Sequence, residues 1–67
     1  MKYYNLRVSY EMDQIVNNRT KRVLKIATIK QAYNTIGCAR MRIASNENKA
    51  QAAIYNVTIL ESTLCNL

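Results

Sequence analysis

Residues 3–10, YYNLRVSY, alternate strictly: Tyr4, Leu6, Val8 and Tyr10 fall on one parity, Tyr3, Asn5, Arg7 and Ser9 on the other. Successive side chains of a strand point to opposite faces, so the pattern predicts a half-buried strand with one dry and one wet face. Tyr and Val favour that setting, and the alternation continues through Met12. Asn17 and Asn18 come next as turn formers, because Asn tolerates positive φ better than other non-glycine residues. A tight turn there puts Met12 opposite Val23, Tyr10 opposite Lys25, Val8 opposite Ala27 and Leu6 opposite Ile29, which preserves one apolar face. The Lys25 stem can lie along the Tyr10 ring while its ammonium reaches water. On the wet face Asp13 meets Arg22 as a cross-strand charge pair, Glu11 meets Leu24, Ser9 meets Ile26 and Arg7 meets Thr28. Leu24 and Ile26 are thereby left on the wet side. An even-length loop keeps this facing; an odd-length loop or a bulge turns the second strand over and buries Leu24 and Ile26 instead.

The second strand is expected over residues 21–31. Asn34 or Thr35 can cap a following helix by accepting a hydrogen bond from an early helical N–H. Ile36, Ala39 and Ile43 then recur as a helical stripe. Residues 38–44 also read as a strand, since Ala39, Met41 and Ile43 alternate with Arg40 and Arg42; the good helix formers Ala, Arg and Met favour the helix. Residues 45–48 read as a break, with a longer helix reaching Ala53 as the alternative. Residues 53–60 read as a third strand, with Tyr55, Val57 and Ile59 sharing a face. Residues 61–67 carry no clear pattern. The expected fold is α+β: a two-layer β-β-α-β domain spanning residues 1–67, a three-stranded antiparallel sheet with one helix on one face. The helix crosses over and the third strand pairs with the first, giving the order 2-1-3.

A Tyr-rich alternating strand ending in Tyr10-Glu11, a basic second strand, and then a polar cap and an Ala/Arg helix form a recognisable succession. It resembles small uncharacterised β-β-α-β proteins of bacterial genomes, notably of Bacteroidetes, and of bacteriophages. The residues that carry the likeness are KYYNLRVSYE at 2–11, Ala32, Asn34 and CAR at 38–40, about half the chain. The resemblance implies the same fold and brings no function with it.

At 67 residues the chain makes one small domain. Such a chain buries about 60% of the surface its unfolded form exposes and is marginal without a disulfide, a metal or a second copy. Cys38 and Cys65 can make at most one bridge within the chain. With no signal peptide ahead of the first strand, they read as reduced thiols in a cytoplasmic setting, or a host cytoplasm for a phage-encoded chain. No histidine is present, and two distant thiols do not make a metal-ligand set. No cofactor is expected. Self-association is therefore the expected source of added stability. No apolar run approaches the roughly 18 residues of a membrane span.

The formal charge is +6, from ten Lys and Arg against four Asp and Glu, and residues 1–30 hold +5 of it. Basic chains of this size meet polyanions, although Lys and Arg also keep small proteins soluble. Catalysis is not expected: general acid–base work needs His or a paired carboxylate of shifted pKa, and Glu11 and Asp13 read as solvated charges near Arg7 and Arg22. Cys38 lacks a base partner. The single glycine, Gly37, cannot build a phosphate-cradling loop.

Two function classes remain. In the first the protein binds nucleic acid through a cationic hairpin and an open sheet face, using Arg7, Arg19, Lys21, Arg22, Lys25 and Lys30, with Tyr3 available for stacking. In the second it is a homo-oligomeric interaction module, such as a phage-encoded inhibitor or a virion component. There Tyr3, Leu24 and Ile26, extended by Ile54 and Leu60, form an apolar patch that pairs two copies or docks on a protein partner.

Overall fold

The computed structural model describes residues 1–66. Strand β1 (Lys2–Val16) turns at Asn17 and Asn18 into β2 (Arg19–Gln31). Helix α1 (Ile36–Glu47) and a short 3-10 turn (Gln51–Ala53) lead to β3 (Ile54–Asn66). The sheet is antiparallel in the order β2-β1-β3, with the helix on one face, as the pattern predicts.

Both turn residues take positive φ, 51° at Asn17 and 61° at Asn18, the signature of a type I′ hairpin turn. That turn twists in the sense of the strands it joins, so the ladder runs from Val16↔Arg19 to Tyr4↔Gln31 without a break. Every pairing expected from the tight turn is present, and β2 begins two residues earlier than the expected strand, at Arg19.

The Thr35 hydroxyl oxygen accepts from the Cys38 N–H at 3.3 Å and starts α1. The helix stops at Glu47 because Asn48 enters the left-handed conformation and its N–H turns back to the Ala44 and Ser45 carbonyls. Residues 38–44 are thus helical, and the helix does not extend to Ala53. Ala39, Ile43 and Ala44 are buried against the sheet. The small alanines let the helix approach closely, and Ile43 supplies the volume. Ile36, expected on the buried stripe, is the first helical residue and is 51% exposed.

The core joins Leu6, Val8, Tyr10 and Met12 of β1 to Ile29, Ala39, Ile43, Ala44, Ile54 and Val57, with Tyr4, Val23, Ala27 and Ile59 packed around it. The third strand differs most from expectation. It runs to Asn66, through a stretch with no strand pattern of its own, and its register against β1 shifts twice. Arg7 pairs with Glu61 but Val8 with Ile59, so Leu60 is an extra residue. Ser9 pairs with Thr58 but Glu11 with Tyr55, and Asn56 there takes a φ of 53°. Each bulge reverses the facing of the strand. Ile54 therefore lies in the core and not on the open patch, and Tyr55 parts from Val57 and Ile59 to stand on the open face. Leu67 lies outside the described residues.

Candidate nucleic-acid interface

The even-numbered residues of β1 face the helix, so the odd-numbered ones and their cross-strand neighbours make the open face. Along β2 these neighbours are Lys30, Thr28, Ile26, Leu24 and Arg22; along β3 they are Cys65, Thr63, Glu61, Thr58 and Tyr55. The structure sorts the six candidate cations by this parity. Arg7, Arg22 and Lys30 stand on the open face, whereas Lys21 and Lys25 point to the helix side and Arg19 borders the turn on that same parity.

Two of the three open-face cations meet carboxylates. Arg7 lies 3.5 Å from Glu61 and Arg22 lies 3.5 Å from Asp13. The Arg22 guanidinium also sits 3.9 Å above the centre of the Tyr55 ring, whose hydroxyl donates to Asp13 at 3.3 Å. The Asn56 side-chain amide donates to Glu11 at 2.6 Å. Lys30 leans toward Tyr3, 5.5 Å from the ring centre. The three cations of this face are thus balanced by three carboxylates, Glu11, Asp13 and Glu61, and its formal charge is zero.

The remaining charge lies on the other side. Lys2, Arg19, Lys21 and Lys25 share the helix-side parity of the sheet, Arg40 and Arg42 are on α1, and Lys49 follows it. Against these seven cations stands Glu47 alone, so the whole formal +6 of the chain belongs to the helix layer and the turn. Two of the seven are engaged: Lys25 pairs with Glu47 at 2.9 Å, and Arg40 donates to the Ile54 carbonyl at 2.7 Å. Among the described residues, Lys2, Arg19, Lys21, Arg42 and Lys49 have no carboxylate partner. Arg42 and Lys49 are the contribution that the strand pattern alone does not reveal, because their relation to Lys21 depends on how the helix lies on the sheet. It runs from the Gln31 end toward the hairpin turn, which leaves Lys49 on the turn side.

Leu24 and Ile26 stand on the open face at 69% and 55% exposure, with Tyr3 half-buried at one end and Leu60 at the edge. Pairing of β3 with β1 ends at Met12↔Ile54, whereas β1 and β2 stay paired to Val16↔Arg19. The hairpin therefore continues past the third strand as a two-stranded ribbon, with a shallow hollow at its tip lined by Val16, Asn17, Arg19, Thr20 and Lys21. Both cysteines are free thiols. Among the described residues no group of three or more metal-ligating side chains is found, and no helix is long and apolar enough to cross a membrane. No protein-family model, curated protein or solved structure matches this chain.

Proposed function

We propose that this protein is a non-enzymatic nucleic-acid-binding protein that lays its helix layer and hairpin tip against phosphates. The observation that carries the reading is the partition of charge: a sheet face of zero formal charge backed by a layer holding +6, with Arg19, Lys21, Arg42 and Lys49 unpaired. Phosphate binding needs cations that are not already neutralised by the protein, and all such cations but Lys30 lie on the helix side or at the turn. Of the residues first considered, Arg19 and Lys21 carry this reading best, while Arg7, Arg22 and Lys25 are engaged by carboxylates.

The test is retention on heparin and on nucleic acid over a salt series. Phosphate contacts release counterions, so log K should fall linearly with log salt, by about 0.9 for each phosphate neutralised on duplex DNA. Replacing Arg19 and Lys21 together by Ser should sharply lower retention at moderate salt. Retention that ignores salt, or a double variant that binds as the parent does, removes the hairpin from the mechanism.

A second reading has its own support. Leu24 and Ile26 lie exposed on a face without net charge, a surface suited to a second copy of the chain or to another protein. Pairing two open faces would leave both cationic layers outward, so self-association and nucleic-acid binding are compatible.

A further inference from the structure

We infer that the projecting ribbon, residues 13–22, is a probe for the major groove of B-form duplex DNA; the inference rests on the nucleic-acid reading above and specifies its ligand. Four paired positions beyond Met12 at about 3.3 Å each carry the ribbon some 13 Å past the three-stranded sheet. Its two strands lie about 4.8 Å apart. A ribbon of that section enters a groove about 12 Å wide and 8.5 Å deep, but not a minor groove about 6 Å wide.

The ribbon is anchored at its root, closed by a tight turn at its tip and unengaged between them. At its root, Arg22 is held by Asp13 and stacked on Tyr55, which itself donates to Asp13. At its tip, Asn17 and Asn18 form the type I′ turn without a glycine. Between these points every residue from 14 to 21 is exposed. Among the described residues, none of their side chains makes a hydrogen bond or an ion pair within the chain. A two-stranded arm with nothing to pack against would not be expected to spend apolar surface on solvent, yet Ile15 is 77% exposed and Val16 is 45% exposed.

The side-chain chemistry of that stretch is what base edges require. Gln14, Asn17 and Asn18 carry amides that can pair bidentately with adenine, Arg19 has a fork for guanine, and Ile15 and Val16 offer apolar contact to thymine methyls. Lys21 and the Thr20 hydroxyl can reach flanking phosphates. No carboxylate interrupts residues 14–22. The same ribbon does not fit the deep, narrow major groove of an RNA duplex, and a single strand has no groove to enter.

The experiment compares a DNA duplex of about 20 base pairs, roughly two helical turns, with an RNA duplex and a DNA single strand of the same sequence, by fluorescence anisotropy on the full chain. A second DNA duplex carries glucosylated hydroxymethylcytosine, which fills the major groove. Two variants accompany it. One replaces residues 15–20 by Asn-Gly, keeping Gln14 opposite Lys21; the other is Arg19→Ser with Lys21→Ser in the full-length ribbon. Circular dichroism checks that both fold. The expected result is that unmodified DNA duplex is bound at least about tenfold more tightly than the other three probes, and that both variants lose about that factor, the equivalent of one bidentate base contact. A shortened ribbon that binds DNA duplex as the parent does, or equal affinity for the RNA duplex or the filled groove, overturns the ribbon inference and leaves the phosphate reading standing. Failure of the parent to bind any probe at low salt overturns both.

Discussion

The Lys25 ammonium lies 2.9 Å from the Glu47 carboxylate and ties the middle of β2 to the last residue of α1. The contact sits beside the buried Tyr10 ring, which pairs with Lys25 across the strands. It also withdraws Lys25 from the unpaired cations, since a phosphate would have to displace Glu47 to reach it.

This contact predicts how stability responds to alkali. Hydrogen bonding to Glu47 pushes the Lys25 pKa above its ordinary 10.5, and burial, reinforced by the Glu47 charge, pushes the Tyr10 hydroxyl above 10.0. Both folded-state values are raised, so both groups contribute stability that is complete below the unfolded pKa and is lost as pH rises through the folded one. Urea unfolding should therefore show this pair's contribution in full and independent of pH below about pH 9, with a decline beginning near pH 10. Tyr10→Phe should flatten part of that decline. An unchanged profile in the variant would show that Tyr10 does not titrate against folding.

The core is small enough for one side chain to decide the fold. Leu6 is fully buried and Ile43 nearly so. Leu6→Ala or Ile43→Ala should cost about 2–5 kcal/mol, against a total of about 3–10 kcal/mol for a chain of this length. Circular dichroism in urea should find Leu6→Ala largely unfolded at a temperature where the parent is folded.

The turn makes an opposite pair of expectations. Asn18→Gly accommodates the φ of 61° without strain and should leave the thermal midpoint unchanged or raise it. Asn18→Val forces a β-branched residue into the left-handed region and should cost about 1–2 kcal/mol, a drop of several degrees for a domain this small.

Leu24→Lys and Ile26→Lys test the open face. Both side chains are exposed, so neither change should destabilise the folded chain. If two copies pair through this face, light scattering should report twice 7.7 kDa for the parent and a single chain for either variant. A mass that neither substitution alters would discard the face-to-face pairing.

Asn56 is the remaining structural test. It combines a φ of 53° with a 2.6 Å hydrogen bond to Glu11. Asn56→Ala loses both advantages and should cost about 1–2 kcal/mol in urea unfolding.

The hairpin was legible because everything it depends on is local: the period-2 alternation of β1, and an Asn pair whose turn fixes the register of β2. The helix start was legible at Thr35, but its end was expected too early: residues 45–47, read as part of a break, continue the helix to its cap at Asn48. The third strand was legible as an apolar run at residues 53–60, but its register and its continuation to Asn66 were not, because a bulge is a property of two strands. Nothing within residues 54–66 alone says that Leu60 and Asn56 lack a partner on β1. Asn56 was the one available hint, a residue tolerant of left-handed φ inside an apolar run. The same gap hid the charge balance of the open face. Glu11 and Asp13 could be placed from the hairpin, but Glu61 reaches Arg7 only in the bulged register. The helix-side cations needed the direction of α1, which parity along a strand does not give.

The projecting ribbon also shapes how the molecule moves through water. The chain extends 46 Å along one axis and 18 and 16 Å along the others, and its radius of gyration is 13.0 Å, where a compact chain of this length would have about 11 Å. Such a rod-like particle drags more solvent than a sphere of equal mass. A lone copy should elute early from a sizing column and imitate a pair, so stoichiometry has to be read from scattered intensity or sedimentation equilibrium, which weigh the particle regardless of its outline.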